Sequence, residues 1–161
     1  MVDASDSILR RFRNAAKTYI EAVDSASNVE FSAFFETLAR CLAELYCAAL
    51  YLPAVAPDRS EIEDDSFAQE QWATLFRSLK EKFGSHDTYW AIFDSTSEEK
   101  PVQASQAGDL SEIYRDLKRD LPLETLQMSR ADLFWELRES FREHWGRHAL
   151  GALKRIADLH L

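Results

Sequence analysis

Two histidines on one predicted helix, His144 and His148, are the residues whose type and spacing best suit chemistry in this chain. Side chains at i and i+4 project from adjacent turns of one helix face, so two imidazoles can converge on one point. Imidazole titrates near neutral pH, which suits acid–base work, and its neutral ring nitrogens ligate transition metals. Asp109 and Asp116 lie one heptad apart and flank a stripe that includes Tyr114 and Leu117. From a facing helix both carboxylates can look into the groove that the histidines occupy.

The spacing alone completes no known chemistry. The residues between the histidines are Trp145-Gly146-Arg147, so the His-Glu-x-x-His pattern of the zincins is absent, as is the Glu-x-x-His of di-iron bundles. No metal and no cofactor is assigned on this basis. At 100° per residue, His144 and His148 fall near the middle of the stripe formed by Leu137, Phe141 and Gly151, which predicts that both rings face the core. A buried imidazole needs hydrogen-bond partners, so polar groups are expected opposite them. Three readings stay open: polar struts in a core, a ligand groove with aromatic walls from Trp145 and Trp90, or a metal or acid–base centre. Arg142 and Arg147 flank the pair and are expected to form intrahelical pairs with Glu136, Glu139 and Glu143. Gly151, in mid-helix on the expected buried face, costs about 1 kcal/mol relative to Ala unless a tight helix crossing offsets it.

The composition limits what such a site can serve. A formal net charge of −9 disfavours DNA, RNA and anionic membranes as partners, because these reward clustered Lys and Arg. Aromatic residues without interleaved basic ones read as core, not as base-stacking platforms. Cys41 and Cys47 point to different faces of one helix and read as reduced thiols, and no C-x-x-C pair suggests redox chemistry. The acidic N-terminus lacks the pattern of a secretory signal, and the apolar run from Leu45 to Pro57 is too short for a membrane span, so a cytoplasmic location is expected. No Gly-rich phosphate loop and no Gly-x-Ser-x-Gly elbow occurs.

Helices must position these residues. With 161 residues, 46% hydrophobic and only four Gly and four Pro, the chain fits one all-α domain of ordinary size. Apolar residues recur at three- and four-residue spacings from Asp6 to about Asp24 and from Phe31 to Leu52, where a Ser27/Glu30 capping box is expected to open the second helix. Pro53 to Asp65 reads as an exposed loop. Ser66 with Gln69 can cap a third helix with Ala68, Trp72, Leu75, Phe76, Leu79 and Phe83 on its stripe, ended by Gly84 as the left-handed residue. Asp87 to Phe93 reads as short helical turns, with strand as the competing choice, and Asp94 to Gln106 as a loop. A further helix runs through Leu110, Ile113, Tyr114 and Leu117 to Pro122. One long helix spans Arg130 to about Leu159, with Trp135, Ala149 and Leu153 nearer the side opposite its main stripe. A second covered side within the monomer, or a homodimer face, accounts for that mixture. The expected architecture is a single-domain bundle of about five long helices plus a short one.

Three segments together carry a resemblance: Asp87-Thr-Tyr-Trp-Ala-Ile-Phe-Asp94, the block from Gly108 to Lys118, and Leu133 to His148 with Trp135, Phe141, Trp145 and Gly146. In this order they resemble a bacterial family catalogued as domain of unknown function 5063. The resemblance implies a small helical bacterial protein and no activity.

The reading with most support from the sequence is a small cytoplasmic helical domain that binds a protein partner or a small molecule. Its groove is expected between the last helix and the helix carrying Asp109, Tyr114 and Asp116, with Trp145 as a wall. The alternative is a metal-dependent or acid–base enzyme using His144 and His148.

Overall fold

The computed structural model describes residues 4–58, 69–92, 94, 96–98, 100–125 and 128–159. Ser66, Ala68, Phe93 and the acidic stretch 59–65 of the expected loop lie outside them. The first two helices, α1 (Ala4–Asp24) and α2 (Phe31–Leu50), are joined through a short 3-10 turn and pack side by side. Leu9, Phe12, Ala16, Tyr19 and Val23 of α1 meet Phe34, Phe35, Leu38, Leu42 and Leu45 of α2 in a core from which water is excluded. Burial at roughly 25 cal/mol per Å2 of apolar surface is what holds this pair together. The cap of α2 differs from expectation. Glu30, not Ser27, is the capping residue, its carboxylate accepting the Ser32 backbone N–H at 2.9 Å and the Ser32 hydroxyl at 2.6 Å.

Helix α3 (Gln69–Phe83) buries Leu79 and Phe83 and stops at Gly84, whose φ of +52° is the left-handed conformation that a residue with a Cβ avoids. The next segment corrects the sequence expectation of helical turns followed by a loop. Strands β1 (Thr88–Ala91) and β2 (Val102–Ser105) form an antiparallel hairpin, with Tyr89 opposite Ala104 and Trp90 opposite Gln103. Thr88, Tyr89 and Trp90 are residues that suit an extended chain, and Val102 supplies the answering strand. This two-stranded hairpin is the only sheet among the described residues, and the fold is otherwise helical.

Asp87 fastens the hairpin to the following helix, α4 (Gln106–Asp120). Its carboxylate accepts the Ser105 hydroxyl at 2.9 Å and the Ala107 N–H at 2.8 Å, and its backbone carbonyl accepts the Gln106 N–H at 2.8 Å. Ser105 in turn caps α4 by accepting from the Gly108 N–H at 3.0 Å. The helix thus begins at Gln106, earlier than its apolar stripe alone indicates, and Leu121–Thr125 continues beyond it as a 3-10 turn.

The final helix is not uniform. It runs as α5 (Arg130–Glu139), a π-turn (Ser140–Trp145) and α6 (Gly146–Asp158). In the π-turn the Gly146 N–H donates to the Phe141 carbonyl, five residues back. Glycine is required there for space: a Cβ at 146 would stand 2.5 Å from the Phe141 carbonyl oxygen and 2.9 Å from its ring. The additional residue in this turn retards the rotation of everything after it by roughly 100°. Ala149, expected on the opposite side, therefore comes into line with Leu137 and Phe141 and joins Ala152 and Ile156 as a core residue. His144 and His148 swing from the middle of the buried face to its edge. Among the described residues no helix is long and apolar enough to cross a membrane.

Candidate functional site

α4 packs along the last helix and presents Asp109, Glu112, Asp116 and Asp120 at spacings of three and four, one acidic line along one face. Opposite it, in reverse order, stand His148, His144 and Ser140. Asp109 Oδ1 lies 2.8 Å from His148 Nδ1, and Asp116 Oδ2 lies 2.5 Å from His144 Nδ1. Both aspartates are buried, whereas the histidine side chains keep 21% (His148) and 34% (His144) of their surface exposed. The two rings sit edge to face, 5.0 Å apart.

This arrangement fixes the chemistry of each ring. A carboxylate at Nδ1 holds the proton on that nitrogen, so in the neutral imidazole Nε2 is left as an acceptor. His144 Nε2 is also 3.7 Å from Glu112 Oε2, and Glu112 is bridged by Arg115 at 2.5 Å. The Asp109 dyad has a further support: the Tyr89 hydroxyl, brought in by β1, donates to Asp109 Oδ2. Burial, reinforced by this hydrogen bond to a carboxylate, pushes the Tyr89 phenol well above its ordinary range, so it stays a donor. Gly151 makes the approach possible, because a Cβ there would stand 2.8 Å from the Tyr89 hydroxyl. The tight crossing expected at Gly151 is thus with a tyrosine of the hairpin.

The third position along the line is structural. Asp120 and Ser140 share Arg119, which reaches Asp120 Oδ1 at 2.9 Å and Ser140 Oγ at 3.0 Å. Burial raises the Asp120 carboxyl to about 6 despite the opposing pull of Arg119.

Other sequence candidates lie elsewhere. Tyr114 points away from the histidines and donates to Asp24 of α1 at 2.7 Å. Trp145 is fully buried against Phe12 and Phe141 and walls no groove. Trp90 is exposed on the hairpin. Arg142 and Arg147 do not form the expected pairs with glutamates of their own helix; Arg147 donates instead to the Glu143 backbone carbonyl at 2.8 Å. Tyr89 and Glu112 are the members of the cluster that sequence reasoning missed. The i+3 spacing of Glu112 from Asp109 was the available signal, while nothing local ties Tyr89 to α4. Among the described residues no group of three His, Cys, Asp or Glu side chains is placed to hold a metal ion.

With this geometry established, comparison with known proteins is informative about family and fold. A model of the family described as domain of unknown function (DUF5063) matches residues 3–161. The chain belongs to this family. Among solved structures it is similar to protein BF1032 from Bacteroides fragilis, with a TM-score of 0.81 and 20% sequence identity over 97% of this chain and 94% of that one. At that identity the likeness speaks for the helical fold. No curated protein matches the chain.

Proposed function

We propose that this DUF5063 domain is a binding domain whose ligand engages the paired imidazoles between α4 and the last helix. The observation that carries this reading is the orientation of both rings: each is held at Nδ1 by a buried aspartate, and each remains partly open to solvent. Three carboxylates in the same cluster favour a ligand that donates hydrogen bonds or carries positive charge, such as an amine or a guanidine. A bacterial, cytoplasmic setting belongs to the same reading, supported by the likeness to a Bacteroides fragilis protein and by two unbridged cysteines. The test is a thermal-shift screen of amines, guanidines and divalent cations, followed by 15N-histidine NMR on the hits. Binders are expected to move the Nε2 signals of His144 and His148 and to be lost in the His144→Gln, His148→Gln double variant. Binders that survive this substitution would place recognition elsewhere.

A second reading is favoured by the same carboxylate–imidazole geometry, which is how a general base is held and tuned. In it, Nε2 of His144 or His148 takes a proton from a substrate. Its signature is turnover lost on changing a histidine and strongly reduced on changing the aspartate behind it. Stoichiometric metal in the purified protein would extend this reading to a metal-dependent reaction.

A further inference from the structure

The opposite flank of the last helix carries a groove of about 410 Å3 shared with α2. Arg138, Arg142 and Arg147 line it together with Tyr46, Leu50 and Leu150. In a chain of formal net charge −9, none of the described residues lining this groove is acidic. Among the described residues no carboxylate is matched to these guanidinium groups either. Arg138 donates to the Leu52 carbonyl at 2.6 Å, Arg147 donates to the Glu143 backbone carbonyl at 2.8 Å, and Arg142 makes no hydrogen bond or ion pair with a described residue. Leu50 and Leu150 stand at the rim 60% and 50% exposed. The π-turn contributes to this alignment, because the added residue turns Arg147 and Leu150 towards the flank already occupied by Arg138 and Arg142.

We infer that this groove docks an acidic amphipathic segment of a partner protein, with apolar anchors against Leu50, Tyr46 and Leu150 and carboxylates on the arginines. Charge complementarity selects the sign of the partner, and the planar fork of arginine suits carboxylates. The span selects a peptide over a small anion. From Arg138 to Arg147 the helix advances roughly 13 Å at about 1.5 Å per residue, further than one carboxylate can bridge. Exposed leucines between and beside the cations call for apolar groups at the same spacing, which is the pattern of an amphipathic segment laid into a groove.

The experiment is a selection from a random peptide-display library on the full chain, followed by fluorescence anisotropy with the enriched peptides. Enriched sequences are expected to set Asp or Glu around Leu, Phe or Trp. Their affinity should fall at least tenfold in Arg142→Glu and Arg147→Glu, and should be unchanged in the His144→Gln, His148→Gln variant. That last comparison separates this surface from the imidazole site. Circular dichroism checks the fold, and Arg142→Gln, expected to weaken binding several-fold, serves if a charge reversal misfolds. The inference is overturned if selection yields no binder, if enriched peptides are neutral or basic, or if binding survives the arginine substitutions. Sedimentation showing a dimer that Arg142→Glu dissolves would also overturn it, by assigning the groove to a second copy of the chain.

Discussion

The two flanks of the last helix treat charge in opposite ways. Towards α4, each imidazole has its own buried aspartate, and Asp109 is held from a second side by Tyr89. Towards α2, three arginines share a groove with exposed leucines, and Arg142 has no partner among the described residues. On the first flank both imidazoles are satisfied at Nδ1, so what the rings offer a visitor is limited to the outward nitrogens. The second has guanidinium donors that no described carboxylate meets. Desolvating polar groups without partners is costly, so the satisfied flank can pack against a helix while the unsatisfied one must stay wet or be covered by a complementary surface. The π-turn sets both flanks at once.

Breaking that turn should have the largest effect. Gly146→Ala forces a Cβ onto the Phe141 carbonyl and ring, and is expected to cost about 3 kcal/mol or more and to disturb both flanks. Urea denaturation with histidine NMR checks this, and a variant as stable as the parent would show that the turn does not depend on glycine. Next comes the satisfied flank. Asp109→Ala leaves the Tyr89 hydroxyl and His148 Nδ1 without their acceptor and should cost about 3 kcal/mol, whereas Asp116→Ala, which strands one imidazole, should cost about 2. Equal costs in chemical denaturation would deny Tyr89 its role.

Asp120 tests the limit of that satisfaction. Its carboxyl sits at about 6 in the folded chain, above the unfolded value near 3.9, so the folded state holds the proton more tightly. Stability from this group is therefore fully present below about pH 4 and is lost as pH rises through 6. Asp120→Asn should flatten that dependence and raise stability above pH 7 by on the order of 2 kcal/mol, measured as the difference between variant and parent across pH. The smallest effect belongs to the unsatisfied flank. Arg142→Ala should change stability by less than about 0.5 kcal/mol, since it removes no hydrogen bond or ion pair with a described residue. A larger loss in denaturant titration would show that the arginine is structural.

The helical elements were legible because each buries one stripe at a regular spacing. Phe12, Tyr19, Leu38 and Leu45 fall where a 100° rotation puts them. The hairpin was not, since its strands are four residues each and the case for pairing Tyr89 with Ala104 lies outside any local window. The π-turn was hidden for a different reason. A fixed rotation per residue carries the error of one extra position through all of α6, which is why the histidines were expected deeper and Ala149 on the wrong side. The trace of the insertion was present in the mixed faces of the last helix, with Ala149 set off from the stripe that holds Leu137 and Phe141 and yet buried in the fold. Asp109 and Asp116 could be matched with the histidines because heptad spacing survives on the uninterrupted α4. Tyr114, on the same helix, turns instead towards α1 and Asp24.

Asp87 has a consequence for how this structure opens. One buried carboxylate accepts from both Ser105 and Ala107, and the same residue's carbonyl accepts from Gln106, so the closing of the hairpin and the first turn of α4 depend on one another. Neither can fray alone without stranding a buried acceptor. Amide hydrogens at the start of α4 should therefore exchange with those of the hairpin in a single event, and the hairpin's thin ladder should be protected far beyond what two strands in isolation achieve.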